Sequence, residues 1–278
     1  MKLKNLLIAF SVVAFAFSLN SCKKSNNGKD EFETTFELSG NQAVTENLTQ
    51  DANDVLNEAA VDNNVMGGHT PSQTTGILSC ATVTVIPLVG WPKNIVIDFG
   101  TGCTSPNGVT RKGKINIVLS DSIRKPGSTA VMTFDNYFVN NYKKEGVITW
   151  TNTSTATVVS WQRKCENGKI TAPDGRYWLH FGTRDVTMTA GASTPNNILD
   201  DVYSIMGTHT VTNSSGATRT WNVLTALQKK AICANVDKGT GKIQGPNHYA
   251  IIDFGDGTCD NIATISIDGR PPRTITLR

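Results

Sequence analysis

Ile97-Asp98-Phe99-Gly100-Thr101-Gly102-Cys103 returns later in the chain as Ile252-Asp253-Phe254-Gly255-Asp256-Gly257-Thr258-Cys259. Each copy closes a run of alternating apolar and polar residues, passes through glycines and leads into another alternating run, 114–119 after the first and 263–267 after the second. A period of two puts one face of an extended chain in a core and the other in solvent. Each copy therefore reads as the turn end of a strand in an antiparallel hairpin. A second cysteine lies upstream of each, at Cys80 and Cys233.

The same period governs most of what lies between the copies. Runs at 82–85, 94–99, 113–121, 129–142, 147–152, 156–164, 169–172, 177–189, 203–212 and 217–225 alternate, and 274–277 follows the second copy. Turn residues separate them: Pro126-Gly127, Glu145-Gly146, Asn167-Gly168, Asp174-Gly175 and Ser214-Ser215-Gly216. Asn167-Gly168 and Asp174-Gly175 are the strongest hairpin signals, because these dipeptides supply the positive φ that tight turns need. Strand after strand on short turns, without βαβ alternation, predicts an all-β antiparallel meander. About a dozen strands exceed what an open twisted sheet carries comfortably. The expectation is a curled sheet or partial barrel, two packed sheets, or an elongated single layer.

One N-terminal helix is expected, near 42–61, where Val44, Leu48, Val55, Leu56 and Ala59 approximate one face that would pack on the sheet. Residues 31–38 alternate weakly and suggest an edge strand, and 63–75, with Gly67-Gly68 and Pro71, a loop. The domain organisation predicted is a signal peptide at 1–21, a flexible tether at 22–30 and one β domain over 31–278.

The first residues address the chain to a membrane. Lys2 and Lys4 precede an apolar segment, Leu6 to Phe17, that is too short to span a bilayer. Leu19-Asn20-Ser21-Cys22 then resembles the lipobox of bacterial lipoproteins. That resemblance implies cleavage before Cys22 and acylation of its thiol. The mature chain would be held in the cell envelope, at the outer membrane, by the Cys22 lipid anchor. Cleavage removes two lysines, so 26 basic residues become 24 against 23 acidic ones. With near-neutral charge and no basic stripe interleaved with aromatics, nucleic acid is not an expected partner.

Export places the remaining cysteines in an oxidising compartment, where disulfides persist. There is no C-x-x-C, and no cysteine stands at zinc-finger spacing from a histidine. Folding each repeated segment as a hairpin brings Cys80 near Cys103 and Cys233 near Cys259, which predicts two local bridges. Cys165 is left over, as a buried thiol or as a partner that breaks this pairing.

Cys80-Ala81-Thr82-Val83, the first repeat, Gly113-Lys114-Ile115, and the second repeat continued through Asp260-Asn261, Ala263-Thr264-Ile265 and Asp268-Gly269 together are similar to uncharacterised Bacteroidota lipoproteins. The similarity spans most of the mature chain. It implies no activity, ligand or catalytic residue.

Side chains that could carry chemistry have simpler roles open to them. No nucleophile elbow, zincin motif or phosphate loop is present, and His180 and His209 fall inside alternating runs as structural histidines. Asp253, Asp256 and Asp260 could ligate Ca²⁺, but Thr101 replaces the second of them in the first copy. Turn formation, in which Asp bonds its own backbone, accounts for the pattern better. Five tryptophans on or beside strands suit core packing more than a ligand platform. No catalytic residue, metal ligand or cofactor site is assigned. The functional expectation is a non-enzymatic binding or structural module with a glycan or protein partner. A glycan- or peptide-acting hydrolase with carboxylates from separate strands is the alternative, and a carrier of lipid or small apolar ligands a weaker one.

Overall fold

The computed structural model describes residues 27–62, 75–195 and 197–277. Cys22, His69 and most of the expected 63–75 loop lie outside them. One helix is followed by fourteen strands that form a single antiparallel sheet. The helix is α1 (Asn27–Asp62). The strands are β1 (Thr82–Ile86), β2 (Lys93–Asp98), β3 (Cys103–Thr104), β4 (Thr110–Leu119), β5 (Thr129–Val139), β6 (Tyr142–Asn152), β7 (Ser160–Thr171), β8 (Tyr177–Ala190), β9 (Val202–Asn213), β10 (Thr218–Lys230), β11 (Lys238–Gln244), β12 (Tyr249–Asp256), β13 (Ile262–Ile267) and β14 (Arg273–Thr276). Spatial order follows chain order, except that the two-residue β3 pairs only with β4. The predicted meander is present, and it is curled without closing: β1 and β14 are free edges.

The sheet curls around α1. The helix lies against β9–β13 along its length and also bonds side chains of β4, β6, β7 and β8. Ile275 of β14 and Trp178 of β8 share a depression with Phe36 and Val44 of the helix, so strands six apart meet across it. Inward positions such as Ile95, Ile97, Ile115, Ile205, Ile252 and Ile265 meet Leu38, Leu48, Val55 and Leu56. Both repeat phenylalanines, Phe99 and Phe254, are buried in this core.

The helix departs from expectation in length and in character. It begins at Asn27, so 27–30 of the predicted tether and the predicted edge strand 31–38 are its opening turns. It is also buried on every side and not along one stripe, polar residues included: Gln42, Glu46, Asn47, Gln50, Asp51 and Glu58 are all inside. Its hydroxyls bond within the helix, Thr34, Ser39, Thr45 and Thr49 each donating to the carbonyl four residues back. Its first part, before residue 42, has no apolar stripe to find, and its β-branched Thr34-Thr35 mimic a strand.

Charged side chains on the sheet complete the core. Arg163 Nη2 and Arg184 Nη2 reach Glu46 at 2.7 and 2.8 Å from two adjacent strands. Arg111 bonds both oxygens of Asp51, at 2.5 and 2.9 Å, and the Tyr137 hydroxyl donates to the same carboxylate. Lys229 pairs with Asp54 at 2.8 Å, Arg219 with Glu31 at 3.1 Å, and Lys144 donates to Thr49. Burial would raise the Glu46 carboxyl, but Arg184 and Arg163 outweigh it and hold the group well below the usual carboxylate range. These pairs fix the helix in one rotation and one register inside the roll, where an apolar stripe would allow slippage.

Two predicted turns are not turns. Glu145-Gly146 lies within β6 and Asn167-Gly168 within β7, and the pairing register shifts at both places. They are facing bulges: a Cβ on Gly146 would lie 2.7 Å from the Gly168 Cα. Extra residues of this kind deepen local twist, which a sheet wound around a helix needs. The 129–142 run divides at Asn140-Asn141, both at positive φ, into β5 and β6.

A rim cavity as candidate functional site

At the end of the roll where α1 terminates, three connections approach one another: 120–128 between β4 and β5, 153–159 between β6 and β7, and 191–201 between β8 and β9. They enclose a cavity of about 300 Å³. Its walls are largely apolar. Trp161, at the start of β7, stands edge-on to Tyr203 of β9, with ring centroids 6.3 Å apart. Ile123, Val159, Met188 and Ile198 close the remaining sides. Ile123 is held there through its carbonyl, which accepts from the Asn152 side chain at 2.8 Å.

Polar groups also line this space: Tyr203, Asp201 and Arg124, with Asn57, Ser154 and Thr155. The Tyr203 hydroxyl donates to Asp201 Oδ2 at 2.8 Å and accepts from Asn57 of the helix at 3.2 Å. Asp201 is fixed through its backbone as well, its carbonyl receiving the Ala231 amide at 3.0 Å. Its other oxygen rests against Gly191, where a Cβ would fall 2.0 Å away, so only glycine fits. Burial raises the Asp201 carboxyl to about 6, partly offset by the Tyr203 hydrogen bond. Arg124 is anchored by Nη2 to the Pro195 carbonyl at 2.8 Å. Burial lowers its guanidinium pKa, and Asp201 counteracts this. Among the described residues Arg124 forms no ion pair; Asp201 is the one carboxylate among the lining side chains. The arrangement can grip a small molecule at both polar and apolar parts. It lacks the facing carboxylates that glycoside hydrolysis requires.

A second group of reactive residue types lies mid-sheet. Cys165 Sγ is 3.5 Å from His180 Nδ1, which is 3.0 Å from His209 Nε2, and the two imidazoles stack with centroids 5.2 Å apart. Gly168 and Gly182 make room for the rings: a Cβ on Gly168 would lie 2.5 Å from His180, and one on Gly182 2.6 Å from His209. Burial pushes both histidines well below their ordinary value and the Cys165 thiol up. A neutral, buried thiol is not a nucleophile. The cluster packs the bulged region, beneath an open depression on the outer face lined by Leu179 and Phe181.

The sequence-predicted residues fall mostly into structural roles. Cys80 pairs with Cys103 and Cys233 with Cys259, with Cα separations of 5.8 and 5.1 Å, and Cys165 is free and buried. Asp98 and Asp253 each accept the amide two residues on, from Gly100 at 2.8 Å and Gly255 at 2.9 Å. Asp256 and Asp260 do the same for Thr258 and Ile262, so the acidic cluster is a series of turns. Trp150, Trp161, Trp178 and Trp221 are buried, while Trp91 sits in the exposed β1–β2 turn beside Leu88 and Val89. The cavity residues Arg124, Trp161, Asp201 and Tyr203 carry no motif. They come from the 120–128 and 191–201 connections and the starts of β7 and β9, and only the fold brings them together.

Comparison with protein-family models, with curated proteins and with solved structures found no match. The fold and the cavity define a class by architecture: a helix-filled antiparallel roll with a small amphipathic cavity at one rim. Among the described residues, no helix is long and apolar enough to cross a membrane.

Proposed function

We propose that this chain is a lipid-anchored protein of the cell envelope that binds a small ligand in its rim cavity and does not transform it. The observation that carries the proposal is the cavity itself. A buried aromatic wall, a carboxyl and a guanidinium converge on one space at the end of a rigid roll, as ligand sites do. The polar, helix-filled interior argues against a bulk carrier of lipid, and the single lining carboxylate argues against an acid/base hydrolase. The lipobox at Leu19-Asn20-Ser21-Cys22 supports attachment through Cys22, at the outer membrane.

Two experiments test this. Cys22→Ser should abolish acyl labelling and release the protein from the membrane fraction; unchanged partition would contradict anchoring. The soluble chain from Lys23 onward should be screened against small-molecule, glycan and peptide libraries by equilibrium binding, with product analysis alongside. Saturable binding that Trp161→Ala weakens, without products, is the expected result. Turnover abolished by a single carboxylate replacement would overturn it, as would a binder indifferent to Trp161.

A further inference from the structure

The rim cavity holds one positive and one acidic group, which influence each other through space but form no direct ion pair. Arg124 is fixed by a backbone carbonyl, Asp201 by a tyrosine hydroxyl, and no ion pair joins them although both line the same space. Opposite charges left apart in a mostly apolar pocket carry a desolvation cost that a ligand of matching charge pattern relieves. An apolar ligand would leave both without a direct charge partner, and a ligand with one charge would supply only one. The same space is lined by Trp161, Ile123, Met188 and Ile198, which offer burial to a hydrocarbon or aromatic body. The volume, about 300 Å³, lies at the small end of ligand pockets.

Resting on the binding function proposed above, we infer that the cavity recognises a small zwitterion with an apolar side chain, a free α-amino acid or a dipeptide. The carboxylate of the ligand pairs with Arg124 and its ammonium with Asp201. The side chain packs against Trp161 and Ile123. The Tyr203 hydroxyl, held by Asn57, orients the Asp201 carboxyl toward the ammonium. The fork of a guanidinium suits a carboxylate in this way. Recognition of both termini at once distinguishes such ligands from fatty acids, amines and neutral aromatics.

The test uses the soluble chain from Lys23 and isothermal titration at pH 7.5. The probes are L-phenylalanine, L-leucine and the dipeptide Leu-Leu, set against 3-phenylpropanoate (carboxylate alone), phenethylamine (ammonium alone) and benzyl alcohol (neither). The inference expects at least one zwitterion to bind about tenfold tighter than either single-charge analogue. Arg124→Gln should reduce that zwitterion to the affinity of its amine analogue, and Asp201→Asn to that of its acid analogue. Asparagine retains the bond from Tyr203, so the cavity survives the second change, and circular dichroism checks both folds. Comparison of analogues on the unmodified chain stands even if a variant fails to fold. Equal or tighter binding of 3-phenylpropanoate, phenethylamine or benzyl alcohol would overturn the zwitterion while leaving a binding function in place. Silence with all six probes overturns the inference too, and the wider library then decides the binding function separately.

Discussion

Glu46 joins α1 to two adjacent strands through buried charge. It compensates two buried guanidiniums at once, and neither Arg163 nor Arg184 has another carboxylate within ion-pair distance among the described residues. Removing one member of a buried pair leaves an uncompensated charge, which generally costs more than the pair contributes. Glu46→Gln should therefore lower unfolding stability by roughly 3–5 kcal/mol in urea titrations. The pH dependence has a defined sign. The carboxyl is depressed when folded, so its contribution is complete above the ordinary value of 4.5 and is lost only as pH falls through a much lower one. The difference between the two proteins should be constant from pH 8 to 5 and narrow below 4.5.

Lys144 behaves in the opposite sense. Burial lowers its ammonium pKa from 10.5 to about 8, with nearby Arg163 acting the same way. Below pH 8 the charge is present in both states and the folded one bears the full penalty. Between about 8 and 10.5 the unfolded chain keeps a proton that the folded chain releases, so stability rises with pH. The rise should be on the order of 3 kcal/mol and absent in Lys144→Met. None of this was legible in the sequence, because a charged residue in an alternating run is ordinarily assigned to the solvent face. Only the partner on α1 reveals that it points inward.

At the scale of elements, the strands were legible and their interruptions were not. Period-two alternation located most of the ladder, though not β3 or β11, whose glycine-bearing stretch from 239 to 247 reads as a loop, and the repeat located both disulfides, because these signals are local. Asn167-Gly168 has the same local chemistry in a bulge as in a hairpin turn. What decides between them is whether the neighbouring strand continues, and β8 pairs with β7 on both sides of the bulge. The bulge has a measurable consequence. Gly168→Ala would drive a methyl to 2.5 Å from the His180 ring and should destabilise the protein by about 1–3 kcal/mol. In a His180→Ala background most of that loss should disappear, which a double-mutant cycle measures. Equal losses in both backgrounds would show that the glycine answers to the backbone and not to the imidazole.

For the whole molecule, the helix and the cavity are products of the same winding. The sheet must wind because fourteen strands cannot stay flat, and winding leaves an axial space that α1 fills with polar as well as apolar side chains. α1 ends at Asp62, and near its last turns the connections 120–128, 153–159 and 191–201 enclose the remaining space as the cavity. The sequence placed a helix in the right region, but periodicity, which looks for an apolar stripe, could not show that it is an axle. The cavity was not legible at all, since Arg124, Trp161 and Asp201 meet only through strand register. The central claim, that this rim is where the protein binds, can be mapped directly. Backbone amide shifts of the isotope-labelled soluble chain should be followed while the tightest ligand from the binding screen is titrated. The account predicts saturable shifts concentrated in 123–126, 154–161, 188–192 and 198–203, with the outer-face residues Leu179 and Phe181 unmoved. Shifts centred on that outer face, with the rim silent, would contradict it.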